Sequence, residues 1–356
     1  MEYSITRLGP SEKEWSGQYN NLKEHGYTLR PRYRPGWQPF KSPEILDIIR
    51  REDEIIQRNS YCLDATRADG TPVFIKQVDR RKHPIEAEIA QFLSSPSLLS
   101  DSHNHTIPVL DSFPHKDKPE IQYLVMPLLC PVDDPSFTTI KELIDFVDQT
   151  LEDLAFMHEH NVAHRDCSGQ NIMIDASDLY PNGWHPIATW LTRDRKSWST
   201  PHKNRCDLNI RYFFIDFDLS TRFAPGEDHL VVSAKGAAPA PELSLEIPYN
   251  PFKLDVYLLG KVFQEHICEA YVDLPFLELL VKAMTAFNPS DRPTAKEALK
   301  RWQDICKSTQ ASSMGGWLHK RNESISKQIA HDILSLAIYT YFRLTSISYT
   351  MGTWSS

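Results

Sequence analysis

Two short β-prone runs flank a turn signal near residue 70. The runs cover residues 61–67 and 72–78, and the segment 68–70 between them contains aspartate and glycine, which are typical of tight turns. This pattern predicts a β-hairpin that carries Lys76 on its second strand. A further apolar run at 122–126 predicts a buried strand.

The spacing of apolar residues then changes to a helical period. Residues 85–93 place apolar side chains on one helical face with Glu88 beside it, and residues 140–155 continue the same period over a longer stretch. Strands with one helix come first and helices follow, which is typical of an α+β chain in two lobes. Proline, glycine and charged residues at 176–209 predict an insertion loop.

These patterns divide the chain into four parts. Residues 1–45 predict an irregular extension, residues 46–127 a small β-rich lobe with one helix, and residues 128–310 a larger, mainly helical lobe. Residues 311–356 form a tail whose apolar stretch is interrupted by polar residues. A docking helix is therefore favoured over a membrane contact for this tail.

Composition narrows the class of protein. The 356 residues are 41% hydrophobic and carry a formal net charge of −8, so we expect a folded chain with no basic surface for nucleic acid. Six cysteines without paired short spacing favour reduced thiols over a zinc site or a disulfide framework. The first residues lack the pattern of a secretory signal, so the predicted location is cytoplasmic.

Polar residues that are candidates for a chemical role occur at three places in the sequence. Asp166 and Asn171 stand five residues apart after the long predicted helix, Asp216 follows a β-prone run, and Lys76 lies on the hairpin. Phosphoryl transfer needs a cation on the nucleotide phosphates, metal ligands, and a carboxylate that orients the attacking hydroxyl. These four side chains are candidates for those three requirements.

The segments around these residues resemble the eukaryotic protein kinase superfamily. The matching segments are Val-Phe-Ile-Lys at 73–76, His-Arg-Asp-Cys-Ser-Gly-Gln-Asn at 164–171, Asp-Phe-Asp at 216–218, Ala-Pro-Glu at 240–242, Asp255 and Arg292. They cover about residues 46–305, and flanking phrases are similar to a divergent fungal type of kinase-like protein. The resemblance implies a two-lobed protein kinase-like fold and transfer of a phosphoryl group from ATP, with Mg²⁺, to a Ser, Thr or other hydroxyl of an unidentified protein substrate.

The resemblance also implies how the nucleotide is held. Lys76 would contact the α- and β-phosphates and would be steadied by a glutamate of the following helix, Glu88 rather than Glu86. An ion pair of this kind is worth about 4 kcal/mol before desolvation. Adenine would bind where the small lobe ends, near Met126, Pro127 and Leu129.

The remaining roles concern the metal, the acceptor and the support of the site. Asn171 and Asp216 would hold Mg²⁺, and Asp166 would orient or deprotonate the acceptor hydroxyl. Arg165 would bind a phosphorylated Ser220, Thr221 or Ser233, or else pack constitutively. The residues with structural or regulatory roles are His164, Arg165, Glu242, Asp255 and Arg292.

Three departures from the family pattern leave other functions open. The span 55–63 contains no glycine, Ser168 stands where kinases usually carry a lysine, and Asp218 replaces a glycine that gives backbone freedom. One alternative is a pseudokinase that binds nucleotide or acts as a scaffold. A second alternative is a small-molecule phosphotransferase, in which residues such as Asp166 and Asn171 have the same roles.

Overall fold

The computed structural model describes residues 7–38, 59–201, 203, 205–234, 239–308 and 316–324. Its largest sheet has five strands: β1 (Tyr27–Leu29), β2 (Cys62–Arg67), β3 (Pro72–Asp79), β4 (Asp111–Pro114) and β5 (Ile121–Pro127). The strand order is β1-β2-β3-β5-β4, and every neighbouring pair is antiparallel. The predicted hairpin is confirmed as β2 and β3, and the run at 122–126 lies within β5.

Along the chain, helices occur before, between and after the strands of this sheet. They are α1 (Pro10–Gly17), α2 (Tyr19–Glu24), α3 (Glu86–Leu93), α4 (Pro96–Leu99), α5 (Ile140–Glu159), α6 (Pro251–Phe263), α7 (Pro275–Met284) and α8 (Ala295–Ser308). Helix α5 begins with a capping box, in which the Glu142 N–H donates to Thr139 Oγ1 and the Glu142 carboxylate accepts from the Thr139 N–H. The fold is mixed α/β and compatible with the two predicted lobes, although α4 adds a second helix to the smaller one.

Both faces of the main sheet are covered. Along β3, Val73 and Ile75 are fully buried in a hydrophobic cluster with the N-terminal segment. Side chains that alternate with them, Phe74 and Val78, pack on the opposite face against the core that contains α3 and α5. Lys76 belongs to this second face, so the sheet itself directs its side chain toward the helical part of the chain.

The extension predicted to be irregular contains two helices and a strand, so this prediction was wrong. Pro10 occupies the first turn of α1, and Glu12 accepts from the Gly9 N–H at 2.9 Å, a combination that starts helices. Trp15, Tyr19 and Leu22 are buried against the sheet. The segment is ordered because its aromatic side chains cover one face of the sheet.

A buried ion pair fixes the end of this N-terminal segment. The guanidinium of Arg32, which is 0% exposed, donates from Nε to Glu12 Oε1 at 2.6 Å and from Nη2 to Glu12 Oε2 at 3.1 Å. The bidentate geometry joins α1 to the 3₁₀ turn Pro31–Tyr33.

Short strand pairs in the helical part position the loops of interest. The strands are β6 (Cys130–Pro131), β7 (Val162–Ala163), β8 (Ile172–Ile174), β9 (Tyr212–Phe214), β10 (Thr221–Arg222), β11 (Val231–Ser233) and β12 (Ser244–Tyr249). Strand β8 lies between β6 and β9, and β7 pairs with β10. We refer to residues 164–171, between β7 and β8, as the 164–171 loop.

The described part of the 176–209 insertion is a loop with one 3₁₀ turn, Arg205–Asp207. Tyr180 and Trp184 anchor it in the core of the helical part. Arg193 reaches the main sheet, where its Nη2 donates to Thr66 Oγ1 at 2.8 Å. The insertion therefore contacts both parts of the molecule.

Several predictions fall on residues that lie outside the described ranges. These include the start of the small lobe at residue 46, the first part of the glycine-free span 55–63 and the apolar stretch of the tail. The described tail residues 316–324 bridge back to the body of the protein, with Trp317 beside Thr139 and Lys320 beside Tyr271. None of the helices in the described ranges is long and apolar enough to cross a membrane.

Candidate active site

The pairing of β8 with β9 brings the 164–171 loop next to Asp216. Ile172 is the register partner of Phe214, and the Ile215 N–H donates to the Asn171 carbonyl at 2.9 Å. Asn171 comes just before β8 and Asp216 just after β9, so both lie at the same end of this antiparallel pair. This arrangement unites residues that are far apart in the sequence.

A buried carboxylate holds the first two residues of the 164–171 loop. Asp255, on α6, is 0% exposed and accepts from the backbone N–H groups of His164 at 2.8 Å and Arg165 at 2.5 Å. His158 Nε2 lies 3.0 Å from the same carboxylate. Arg165 adopts a positive φ of 67°, a conformation with a steric cost that these hydrogen bonds offset.

His164 links this loop to the segment before Asp216. Its Nδ1 accepts from the Asp166 N–H at 3.2 Å, so the proton resides on Nε2, which donates to the Ile215 carbonyl at 3.0 Å. The imidazole also contacts the rings of Phe214 and Phe217. The histidine thus sets the spacing between Asp166 and Asp216.

Asp166 and Asn171 are joined side chain to side chain. Asn171 Nδ2 donates to Asp166 Oδ2 at 2.7 Å and to the Asp166 carbonyl at 3.0 Å. Burial raises the pKa of Asp166 above its ordinary value, although His164 and the Asn171 hydrogen bond act in the opposite direction. A half-buried carboxylate with a raised pKa is suited to accept a proton from a hydroxyl.

Lys76 forms an ionic cluster with two carboxylates. Its Nζ contacts Asp216 Oδ1 at 2.6 Å and also forms an ion pair with Glu86, whose side chain is 4% exposed. The prediction that Glu88 is the partner was wrong, because Glu88 is exposed on the opposite side of α3. Glu86 is the first residue of α3 and shares the buried face with Ile89.

Burial and charge act against each other in this cluster. Burial alone would lower the pKa of Lys76, but the charges of Glu86 and Asp216 raise it above its ordinary value, so the ammonium stays protonated. Burial raises the pKa of Glu86, and Lys76 only partly compensates. Burial has the same effect on Asp216, but Lys76 outweighs it and holds the pKa of that carboxyl below its ordinary value.

The surroundings of Asp216 are rich in negative charge. Asp166 and Glu86 both interact electrostatically with Asp216 and Asp218. Within the described ranges there is no group of three or more His, Cys, Asp or Glu side chains that could hold a metal by itself. Mg²⁺ commonly uses one or two protein oxygens together with substrate phosphates, so the Asp216 carboxylate and Asn171 amide oxygen fit a metal that arrives with a nucleotide.

Asp218 causes no backbone strain in this structure. The positive φ in the 216–218 segment belongs to Asp216, at 67°, so the side chain of Asp218 needs no glycine-like conformation. Asp218 instead faces His83, whose Nδ1 lies 3.9 Å from the Asp218 carboxylate. Sequence reasoning missed His83, which follows β3 without a motif of its own.

The residues predicted to contact adenine lie at the end of β5 and in the two residues that follow it. Met126 is the register partner of Phe74, two positions from Lys76 on β3. Met126 and Leu129 are 8% and 7% exposed, and Pro127 is half-buried. They lie where the chain passes from the sheet to the helical part, close to Lys76 on the neighbouring strand β3.

Arg165 is engaged by the chain that follows Asp216. Its Nη1 donates to the Leu219 carbonyl at 2.9 Å and to Thr221 Oγ1 at 3.1 Å. Ser220 is 2% exposed and donates to the His164 carbonyl. These contacts favour constitutive packing of Arg165 over the phosphate-binding alternative.

Glu242 and Arg292 form a buried ion pair. Arg292 Nη2 donates to Glu242 Oε2 at 2.9 Å, and its Nη1 donates to the other carboxylate oxygen. The guanidinium also donates from Nε to the Ala286 carbonyl at 2.7 Å. Glu242 lies in the loop just before β12, and Arg292 lies between α7 and α8, so the pair joins these two segments.

A cavity of about 520 Å³ opens beside Asp166, Ser168, Asn171 and Asp216. The end of α6 and the π-helical turn Gln264–Cys268 form its other wall. There His266 packs so closely on Gly169 that a Cβ on this glycine would lie 2.7 Å from the imidazole Nε2. No motif pointed to this wall, although π-helical turns often occur at functional sites.

Comparison with known proteins adds a distant kinase-like relationship over part of the chain. One relative is sperm motility kinase 1 of the mouse, which is 24% identical over 208 residues, or 55% of this chain. The match spans 34% of that relative, so about two thirds of the relative has no counterpart in it. No protein-family model matches the chain.

Proposed function

We propose that this protein has a protein kinase-like fold and transfers a phosphoryl group from ATP to a protein hydroxyl. The observation that carries the proposal is the convergence of Lys76, Asp166, Asn171 and Asp216 on one site from three separate segments. The distant similarity to a mouse kinase supports the same class of reaction. Glu86 and Asp255 are the residues that hold these groups in position.

Each residue of the site has a distinct task in this reaction. Asn171 and Asp216 would hold Mg²⁺, which when bound offsets the negative charge of the nucleotide phosphates. Lys76 would move part of its contact from Asp216 to the phosphates, while Glu86 keeps its ammonium in place. Met126, Pro127 and Leu129 would flank adenine.

Asp166 would act on the acceptor. Its ionised carboxylate would accept a hydrogen bond from the acceptor hydroxyl. It would take the proton as the acceptor oxygen bonds to the γ-phosphorus and the bond from that phosphorus to the bridging oxygen of the leaving ADP breaks. Asn171 donates to one carboxylate oxygen, Oδ2, which fixes the orientation of the carboxylate. The cavity of about 520 Å³ beside Asp166 would receive the acceptor.

Binding of ATP with Mg²⁺ is expected to stabilise the folded protein. A ligand that binds only the native state adds about 2.7 kcal/mol at a concentration 100 times its Kd. The melting temperature should therefore rise with ATP and Mg²⁺, rise less with ATP and EDTA, and change little in Asp216→Ala. Absence of a Mg²⁺-dependent shift at millimolar ATP in the wild-type protein would contradict the proposal.

Glu86→Gln is expected to lower kcat/KM by about 10- to 100-fold, the usual worth of a charge-assisted hydrogen bond. Glu88→Gln is the matched control, because Glu88 lies on the same helix but is exposed. Initial rates of Mg²⁺-dependent ATP turnover, measured on both variants, test this difference. Equal losses in the two variants would show that Glu86 does not position Lys76.

Two observations leave alternative functions that experiments must distinguish. Ser168 stands where the loop of kinases usually carries a lysine. If ATP binds but is never turned over, the protein is a nucleotide-binding pseudokinase. The cavity beside Asp166 could also receive a small acceptor. A protein that ignores peptide pools, yet hydrolyses ATP faster with a small hydroxylated compound, is a small-molecule phosphotransferase.

A further inference from the structure

The cavity beside Asp166 has two walls that come from different parts of the chain. The 164–171 loop and Asp216 form one wall, and the end of α6 with the π-helical turn Gln264–Cys268 forms the other. In the proposed reaction the γ-phosphoryl group passes from the nucleotide to an acceptor in this space. Side chains of both walls are therefore candidates to contact it.

One side of α6 and of the turn that continues it lines the cavity. Lys261, Val262 and Glu265 follow Leu258 by three, four and seven residues, a spacing that places side chains on one side of a helix. Leu258 and Val262 are buried, whereas the Lys261 side chain is 25% exposed. Lys261 is the cationic member of this group.

The contacts of Lys261 are made within its own helical turn. Its Nζ donates to Gln264 Oε1 at 3.0 Å and lies 3.3 Å from Glu265 Oε1. The Glu265 side chain is 53% exposed, and ion pairs at such accessible positions are worth about 0–1 kcal/mol. A phosphate oxygen that reaches Lys261 can therefore replace this contact at small cost.

The charges that line the cavity are mainly negative. Asp166, Asp216 and Glu265 contribute carboxylates, and Lys261 is the only lysine or arginine among the lining residues in the described part of the chain. Lys76 pairs with Asp216 from the sheet and does not line this cavity. The transferred phosphoryl group carries negative charge on three oxygens, so it needs a cation to offset repulsion from these carboxylates.

Two other polar side chains of the walls are less suited to this task. Ser168, which stands where kinases usually carry a lysine, offers a neutral hydroxyl. His266 packs so closely on Gly169 that its ring is held against the 164–171 loop. Lys261 is the side chain that combines a full positive charge with an exchangeable partner.

We propose that Lys261 Nζ contacts the γ-phosphoryl oxygens of bound ATP and supplies the positive charge that Ser168 does not. This inference rests on the proposed binding of ATP. During transfer, the acceptor oxygen bonds to the γ-phosphorus, the bond to the bridging oxygen of ADP breaks, and Asp166 takes the hydroxyl proton. Lys261 keeps its own protons and offsets the charge on the three phosphoryl oxygens.

Isothermal titration calorimetry of the full chain with Mg²⁺ tests the contact by comparing β,γ-imido-ATP, which is not hydrolysed, with ADP. In Lys261→Met we expect a Kd about tenfold or more weaker for the analogue and less than about twofold changed for ADP, which has no γ-phosphate. The ADP titration also shows that the variant is folded. Lys300→Met is the matched control, because it removes another i,i+4 lysine–carboxylate pair, with Asp304 on α8, and should keep both wild-type Kd values.

Rates of Mg²⁺-dependent ATP turnover give a second readout. We expect kcat to fall by about 10- to 100-fold in Lys261→Met, the usual worth of a charge-assisted hydrogen bond. Adding Ser168→Lys to this variant places an ammonium on the opposite wall and should restore about tenfold in kcat. A structural defect in α6 would not be corrected by a charge in the 164–171 loop.

The outcomes separate this inference from the proposed function. Wild-type affinity of Lys261→Met for β,γ-imido-ATP would overturn the contact, and so would equal losses of affinity for the analogue and for ADP. A selective loss in a protein that never turns over ATP would support the contact and contradict phosphoryl transfer. Absence of analogue binding to the wild-type protein would overturn both.

Discussion

Asp166→Asn is expected to lower phosphoryl transfer by about 100-fold or more, the usual contribution of a positioned general base. Asparagine keeps the shape of the side chain and can still accept from Asn171 Nδ2, so the 164–171 loop should retain its structure. What it loses is the negative charge that we propose as the acceptor of the hydroxyl proton. Initial rates with Mg²⁺ and ATP on a peptide pool, together with ATP hydrolysis, measure the effect.

The control for this variant is Asp178→Asn, which removes an exposed carboxylate in the insertion. Both variants should keep the wild-type unfolding transition and the ATP-dependent thermal shift. Because burial raises the pKa of Asp166, the wild-type rate should fall on acidification at a pH above that of an ordinary aspartate. An unchanged rate in Asp166→Asn would remove Asp166 from the reaction.

Trp15→Ala is expected to lower the free energy of unfolding by about 3–5 kcal/mol, the range for truncation of a buried tryptophan. Trp15 is 2% exposed, its ring lies 5.9 Å from that of Tyr123, and its Nε1 donates to the Ser60 carbonyl at 3.0 Å. The substitution opens a cavity between α1 and the centre of the main sheet. Urea denaturation, with the slope compared between proteins, measures the loss.

Trp198→Ala is the matched control for this stability experiment. Trp198 is 72% exposed in the insertion, and a substitution at such a surface position usually changes stability by about 0.5 kcal/mol or less. A large difference between the two tryptophans would establish that the N-terminal segment belongs to the folded unit. Similar small effects would mean that this segment contributes little to the stability of the sheet.

The sequence predicted those elements whose signals are local. The β2–β3 hairpin follows from two β-prone runs and a turn, and α5 follows from a long helical period over residues 140–155. The proline and aromatic content of the N-terminal segment favours irregular structure, so composition does not reveal its two helices. Pro10 followed by Glu12 was a usable helix-start signal, but the partner of its apolar face, the main sheet, is distant in sequence.

The sequence predicts which residues form the candidate site, but not every contact between their side chains. Glu86 lies three, four and seven residues before Ile89, Ala90 and Leu93, so it shares their buried face, whereas Glu88 does not. The correct partner of Lys76 was therefore available from the helical period. His83 and His266 could not be found, because only tertiary packing brings them to Asp218 and Gly169.

The support of the 164–171 loop by Asp255 has a consequence for the order of folding. The hydrogen bond from the Arg165 N–H to Asp255 spans 90 residues of chain, and contacts of such separation form late because a long loop must first be closed. During synthesis, the loop emerges well before α6. A nascent chain that contains Asp166 and Asn171 thus lacks the carboxylate that orders them, and the site would become competent only after the helical part has assembled.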